Sequence, residues 1–485
     1  MMAKNRDLTR IHHHTKIIAT LGPASNSPEI LEHMIRVGLN VIRLNFSHGT
    51  PEIHAENARR VREASERAGR EVAIIADLQG PKVRVGKIKG DKVELKQGDN
   101  FILDAAFEGE GSAERVGLDY RALPRDVKPG DVLLLDDGLL TVTVTSVEGD
   151  EIHTEIQNDA VLKSNKGINK QGGGISAGAL TDKDHEDLKT AVEIGADYLA
   201  ISFVKSAADM DLARRLLAQA AHSYHRPGLI AKIERTEAIE NLEEILYLCD
   251  GVMVARGDLA VEVGNAAVPS LQKKIIKKAR AMRRFTITAT QMMESMITNP
   301  VPTRAEVSDV ANAVLDGSDA VMLSAETAVG QYPFETVRSM AQICSAAEQA
   351  QDPLTGADIH VENTSRIDHS IASGAVFTAR QLNAKAIVAL TESGSTAFHI
   401  SRFGINIPIY ALTGNRLVQR KMCMYRGVRP LMLDTGLDHQ TAIQEAEAHL
   451  RWRGVVDSGD LYVITSGVTM GKPGSTNTLQ ISRAQ

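Results

Sequence analysis

Eight times along this chain a short apolar run ends in polar or charged residues and gives way to a segment with helical caps. The runs fall at 15–21, 40–45, 71–77, 198–202, 229–234, 251–255, 286–289 and 320–323. Ser27-Pro28-Glu29 and Thr50-Pro51-Glu52 each set a capping hydroxyl before a proline at the first helical position, with Gly38 and Gly69 as stops. Thr181 opens a helix that runs to Gly195, and Thr303-Arg304-Ala305-Glu306 has capping-box spacing before a helix that ends near Gly317. A strand followed by a helix returns to its starting side before the next strand begins, so the strands lie parallel. The pattern predicts an α/β fold of the (β/α)8 type, a TIM barrel, and the two stretches that hold the units come close to the ~250 residues it needs.

Two segments break the repeat. From 86 to 157, Gly-Asp turns alternate with runs such as Val132-Leu133-Leu134-Leu135 and Leu140-Thr141-Val142-Thr143-Val144, which predicts a small β-barrel lid domain. It leaves from the loop after the third strand, so it sits over the chemical end of the barrel and is placed to close on it. Beyond 351, a helix at 367–382 and strands at 386–390, 407–412, 428–433 and 461–465 predict an open C-terminal α/β domain. The expected division is barrel 1–85, lid 86–157, barrel 158–350 and C-terminal domain 351–485.

Composition narrows the class. At 485 residues the chain exceeds one core, and 43% hydrophobic with 24% charged residues favours neither disorder nor a membrane protein. No apolar run approaches the roughly 18 residues of a membrane span. The first residues lack the apolar stretch of a signal peptide, so the expected location is cytoplasmic. Cys249, Cys344 and Cys423 are odd in number and far apart, which argues against a disulfide framework or a zinc site. A formal charge of −6 without a basic, aromatic-interleaved stretch argues against nucleic acid as a partner. The run His12-His13-His14 reads as native and inert.

Barrels of this kind carry their chemistry at the C-terminal ends of the strands, and the polar residues concentrate there. Arg43, Asn45, Ser47 and His48 follow the second strand, Asp77 and Arg84 the third, and Lys232 and Glu234 the fifth. Asp258 follows the sixth, Thr290 the seventh, Ser324 and Glu326 the eighth. Strand alternation sets Lys232 and Glu234 on one face directly after an apolar run. An isolated Lys-x-Glu is ordinarily a structural ion pair. The clustering at neighbouring strand ends argues instead for a divalent-cation and phosphate site with Asp258 as second carboxylate. Taken singly, Ser47, Ser324 and Glu326 read as structural hydrogen-bonders, and Met292, Met293 and Met296 as packing. In the C-terminal domain, Thr391-Glu392-Ser393-Gly394-Ser395-Thr396 opens a helix after a strand, which suits a phosphate and equally suits an ordinary cap and turn. The turn Gly471-Lys472-Pro473-Gly474-Ser475 is a second candidate contact there.

Six motifs occur in order: Ile42-Arg43-Leu44-Asn45-Phe46-Ser47-His48-Gly49, Ile230-Ala231-Lys232-Ile233-Glu234, Met253-Val254-Ala255-Arg256-Gly257-Asp258-Leu259, Thr288-Ala289-Thr290-Gln291-Met292-Met293-Glu294-Ser295-Met296, Pro302-Thr303-Arg304-Ala305-Glu306 and Val321-Met322-Leu323-Ser324-Ala325-Glu326-Thr327. Through them the chain, from Thr15 to Asn477-Thr478, closely resembles the pyruvate kinase family. The resemblance implies phosphoryl transfer from phosphoenolpyruvate to ADP, giving pyruvate and ATP. By position it implies that Glu234 and Asp258 hold Mg²⁺, with Mn²⁺ as an alternative ion. It also implies that amides around Gly257 and Asp258 take the substrate carboxylate, and that Lys232 and Arg43 face the phosphoryl group. Thr290 and Ser324 would serve proton delivery; a threonine hydroxyl is a poor acid near neutral pH, so a water held by Thr290 is the better donor. Pro23, Asn45, His48, Arg84 and Lys166 would contact the nucleotide. Thr391, Ser393, Gly394, Ser395 and Thr396 would take a phosphorylated allosteric effector, and a homotetramer is expected.

Ala325 replaces a glycine common in the family motif. Lys82 stands where many members have glutamate, and Leu78 where they have threonine. A fixed ammonium there is expected to stand in for a bound K⁺, so that K⁺ is not required. The same carboxylates and arginine also suit a Mg²⁺-dependent barrel lyase or aldolase acting through a pyruvate enolate; the lid and Lys232 favour the kinase. A sugar-phosphate sensor on this scaffold predicts a broken constellation, and this one is intact.

Overall fold

The structure is a computed structural model that describes residues 11–221, 225–350, 366–434, 437–467 and 474–485. Strands β1 (Lys16–Thr20), β2 (Val41–Asn45), β3 (Ala73–Asp77), β4 (Tyr198–Ile201), β5 (Gly228–Ile233), β6 (Gly251–Ala255), β7 (Phe285–Ala289) and β8 (Ala320–Leu323) pair in parallel and close into a barrel, β8 against β1. The helices between them start where the caps predict. Ser27 accepts from the Ile30 amide with Pro28 in the first turn, and the Thr181–Asp184 and Thr303–Glu306 boxes are reciprocal.

Alternation along each strand divides its residues between two cores. Ile17, Ile42, Leu44 and Ile233 face outward onto the helices. Ile18, Ile75, Ile230, Met253, Ile287 and Met322 face inward and fill the barrel. Gly251 has no side chain because the ring of Phe285 occupies the place its Cβ would take. Cys423 and Met424 of the C-terminal domain belong to the same inner cluster and stop its lower end. There the Tyr198 hydroxyl donates to Lys421 O at 2.8 Å, and Lys16 Nζ donates to Val428 O at 2.6 Å. The histidine run packs at this end too, with a His13 ring nitrogen 3.1 Å from Gly38 O and the His14 amide donating to Glu348 at 2.7 Å.

The inserted domain has a six-stranded sheet, with Lys92–Leu95 paired separately to Ala160–Lys163. The expected boundary at 157 is too early. Ile168–Lys170 pairs antiparallel with Val132–Leu135, and the apolar core of the lid runs from Val83 to Ala177. These late strands are only four and three residues long, so only their pairing assigns them. The C-terminal sheet has four parallel strands, Val428–Met432, Ile409–Thr413, Ile387–Leu390 and Leu461–Gly467, and an antiparallel edge strand, Thr476–Arg483, that the sequence pattern did not announce. Cys249, Cys344 and Cys423 are buried and free, and Met292, Met293 and Met296 are fully buried packing residues. No helix among the described residues is long and apolar enough to cross a membrane.

The lid returns to the barrel through Gly172, Gly173 and Gly174, whose φ angles of 81°, 81° and 92° favour glycine. The Gly172 amide donates to Glu262 O at 3.2 Å and the Gly174 amide to Glu237 Oε1 at 2.6 Å. Burial pushes the Glu262 carboxyl up from 4.5 to about 7, against the hydrogen bond from Thr236 and the charge of Arg235. A carboxyl whose folded pKa is raised binds its proton more tightly when folded, so its contribution is present at low pH and lost as pH rises through that window. Between about pH 4.5 and about pH 7 the denaturation midpoint of the wild type should therefore fall relative to Glu262→Gln. Parallel pH profiles for the two proteins would contradict this.

Candidate active site

The alternation that buries Val41, Ile75 and Ile230 inside the barrel also brings Arg43, Asp77 and Lys232, two residues further on, to its upper rim. There the filling changes from apolar to ionic. Arg43 Nε donates to Asp77 Oδ2 at 2.6 Å, and its Nη1 donates to Thr20 Oγ1 at 3.1 Å. Lys232 Nζ donates to Ser202 Oγ at 2.8 Å and lies 2.9 Å from Glu234 Oε1 and 3.4 Å from Asp77 Oδ1. Both carboxylates are 1% exposed and both cations 12%. Burial works against the charge on Lys232, yet Asp77 and Glu234 hold its pKa above the ordinary value. Burial likewise opposes ionised Asp77, but Lys232 and Arg43 outweigh it and hold that carboxyl low. Glu234 goes the other way, pushed up by burial and by the charge of Asp258 despite Lys232.

Glu234 Oε1 and Asp77 Oδ1 face Lys232 as ion pairs without a well-directed hydrogen bond. A buried carboxylate raised by a second carboxylate, with an oxygen left unbonded, fits a divalent cation between Glu234 and Asp258. The other Glu234 oxygen accepts from the amide of Phe203 at 2.8 Å, a residue held at φ 55°.

Asp258 lies in the first turn of the helix Arg256–Val263, which starts where β6 ends. The Gly257 amide, expected to take a substrate carboxylate, donates at 2.9 Å to Thr290 Oγ1. A carboxylate reaching that amide has to displace the hydroxyl. Thr290 is β-branched and at φ 68°, a backbone that costs roughly 1–3 kcal/mol unless the surroundings impose it. Arg256 imposes it: Nη2 donates to Thr290 O at 2.7 Å and Nε to Ala289 O at 3.2 Å, while Asp309 pairs with the guanidinium at 2.7 Å. Glu326 accepts from the amides of Ser324 (2.6 Å) and Met293 (3.1 Å), tying the last two barrel loops together as a structural residue.

Lys82 Nζ lies 3.4 Å from Asp258 Oδ1 and 4.0 Å from Asp137 Oδ1 of the lid. Arg84 and Lys166 sit at the lid root, outside the Arg43–Lys232 cluster. The Arg84 amide donates to Asp119 Oδ1 at 2.7 Å and Lys166 pairs with Asp136 at 2.8 Å. Asn45 Oδ1 accepts from the Ser47 amide at 3.2 Å, the His48 amide donates to Asn45 O at 3.3 Å, and Pro23 lies in the turn Gly22–Ser25. In the C-terminal domain the Gly394 amide donates to Thr391 Oγ1 at 3.0 Å, Ser393 Oγ donates to Ser395 Oγ at 3.1 Å, and Thr396 Oγ1 bonds Thr476 Oγ1 at 2.7 Å. Residues 471–473 of the second candidate turn lie outside the described residues. Sequence reasoning missed Thr20, Ser202, Phe203 and Arg256. At the sequence level, a serine that ends a strand looks like any strand terminator.

A parallel barrel with a lysine, an arginine and carboxylates at its C-terminal mouth, beneath an inserted sheet domain, is an arrangement suited to phosphotransferases of the barrel class. The family description "Pyruvate kinase, barrel domain" matches residues 12–337, and "Pyruvate kinase, alpha/beta domain" matches 369–482. The chain is 49% identical over 475 residues to pyruvate kinase II of Salmonella typhimurium, covering 96% of this chain and 98% of that one. It is 47% identical to the pyruvate kinase of Haemophilus influenzae, with 93% and 95% covered. The crystal structure of a pyruvate kinase from Cryptosporidium parvum superposes with a TM-score of 0.92 at 35% identity, covering 100% and 98%. The chain belongs to the pyruvate kinase family and is a phosphotransferase. That family generally needs Mg²⁺ and usually K⁺, and the lyase alternative is not favoured.

Asp77→Asn should leave Arg43 and Lys232 facing Glu234 alone. Removing one partner of a buried ion cluster costs roughly 3–5 kcal/mol, so the thermal midpoint should fall clearly below that of the wild type. An unchanged midpoint would show that the cluster does not hold the rim.

Proposed function

We propose that this chain catalyses phosphoryl transfer from phosphoenolpyruvate to ADP with Lys232 and Arg43 as the charges that face the transferring group. The observation that carries the reading is the Lys232 ammonium, fixed among Ser202, Asp77 and Glu234 at the barrel mouth. Such transfer needs little covalent help from the protein and depends on positioning and preorganised charge. Glu234 and Asp258 would hold Mg²⁺, which when bound offsets the negative charge of substrate carboxylate and phosphoryl oxygens. Gly257 and Asp258 would bind the substrate carboxylate. Thr290 would hold the water that protonates the enolate carbon, with Ser324 on the neighbouring strand end. Pro23, Asn45, His48, Arg84 and Lys166 would contact the nucleotide, and the position of the last two at the lid root supports binding between lid and barrel. In a coupled assay of pyruvate formation, Lys232→Met should cost on the order of 10²-fold or more in turnover while the fold persists. Near-normal turnover would remove the assignment.

We further propose that activity does not require K⁺. Lys82 supplies a fixed positive charge 3.4 Å from Asp258, and Leu78, 1% exposed, offers no hydroxyl to a monovalent ion. With tetramethylammonium as the only monovalent cation, added K⁺ should leave the initial rate unchanged, and Lys82→Glu should create a K⁺ requirement. A rise of about tenfold in the wild type, near 1.4 kcal/mol in barrier, would sink the idea.

The hydroxyl-rich segment Thr391 to Thr396, with Ser393, Gly394 and Ser395, is proposed to take a phosphorylated effector. A homotetramer is proposed as well; the edge strand Thr476–Arg483, on which Ile481 is 50% exposed, supports pairing with a second copy. A cytoplasmic location fits three free cysteines that need no oxidising compartment.

A further inference from the structure

Two arginines at the base of the barrel, Arg280 and Arg426, make no side-chain hydrogen bond and no ion pair within 4.0 Å among the described residues. Arg280 ends the helix Val268–Ala281 of the barrel, and Arg426 belongs to the C-terminal domain. Arg426 is only 5% exposed, and its Nε is buried without a partner. Both guanidinium groups converge on Gly404. A Cβ built there would lie 3.2 Å from Arg280 Nη2 and 3.9 Å from Arg426 Nη1. The nearby negative charge is already engaged. Asp319 takes both forks of Arg402, at 2.8 Å and 2.5 Å, and Glu348 accepts from the amides of His14 and Thr15.

A buried Arg426 beside a half-buried Arg280, both with unused donors, is an unfavourable pairing, because each has lost water and gained repulsion. Burial, reinforced by Arg402 and Arg426 against Asp319, holds the Arg280 pKa below its ordinary value, so the excess positive charge is felt at the site. Gly404, at φ 63°, carries no side chain, and a Cβ there would crowd Arg280 Nη2, so the glycine is what lets the two groups approach the backbone at this point. Guanidinium forks match oxyanions by paired N–H···O bonds. Two forks reaching in from different domains offer more donors than the two oxygens of a carboxylate can use.

We propose that this crevice is an oxyanion site that takes a tetrahedral anion of the sulfate or phosphate class and ties the barrel to the C-terminal domain. It lies at the opposite end of the barrel from Lys232. It is also at the far end of the helix Ser395–Ser401 from the segment Thr391 to Thr396. Arg280→Met should therefore leave turnover and both substrate KM values at wild-type levels.

Two measurements test it. Crystals of the full chain soaked in selenate should give an anomalous peak touching both guanidinium groups beside Gly404, lost in Arg426→Met. Replacing chloride by sulfate at matched ionic strength should raise the wild-type Tm by several degrees, and Arg280→Met should at least halve that rise. In chloride alone Arg280→Met should melt at or above the wild type, because a repulsion has been removed. Sulfate also stabilises proteins generally by exclusion from their surfaces, and that part should be equal in the two proteins. Equal rises, or no peak beside Gly404 at saturating selenate, would overturn the proposal. If Arg426→Met does not fold, the Arg280→Met pair of measurements decides alone.

Discussion

The ionic layer of Arg43, Asp77, Lys232 and Glu234 is the interaction on which the upper half of this molecule depends. Two cations and two carboxylates are held almost out of water, each satisfied mainly by the others. Such a layer is tolerable only while its charges balance and its geometry holds. Geometry comes from the barrel register: Arg43 pairs with Ile75, and Lys232 with Met253, so the residues below the layer are apolar and those at the rim are not. A slip of one residue in any of these strands would turn its charged side chain outward into the packing between strands and helices.

The other end of the barrel is closed in a different way. Three consecutive residues of the C-terminal domain divide between two cores. Met422 packs in that domain, where a Cβ on Gly394 would meet it at 3.1 Å, while Cys423 and Met424 enter the inner cluster of the barrel. The segment Thr391 to Thr396 and the barrel interior are thus joined by contiguous side-chain packing, which fixes how the two domains sit. The lid, by contrast, is rooted through three glycines and a few hydrogen bonds to Glu237 and Glu262. Apolar packing closes the lower end, whereas polar contacts of single residues attach the lid above the mouth.

Much of this was legible in the chain itself. Caps such as Ser27-Pro28 and Thr303-x-x-Glu306 mark helix starts by local chemistry, and the strand runs could be placed to within about two residues by periodicity alone. Lys232 and Glu234 could be assigned to one face because side-chain alternation is a property of a single strand. The lid strands at 160–163 and 168–170 and the edge strand 476–483 were not legible. They are short or polar and exist only through their partners, whose positions lie elsewhere in the sequence.

The sequence by itself determined the order of strands and helices, the polar ends of the strands and the family resemblance they carry, since each of these is written in neighbouring residues. Only the tertiary structure decided who meets whom. It set Ser202 under Lys232, Thr20 beside Arg43, Lys82 against Asp258, and Arg280 facing Arg426 across Gly404. The physical reason is the same in every case: closing a barrel and docking a domain on its base bring together residues from distant parts of the chain. Their mutual charge and unmet hydrogen bonds have no signature until they are in contact.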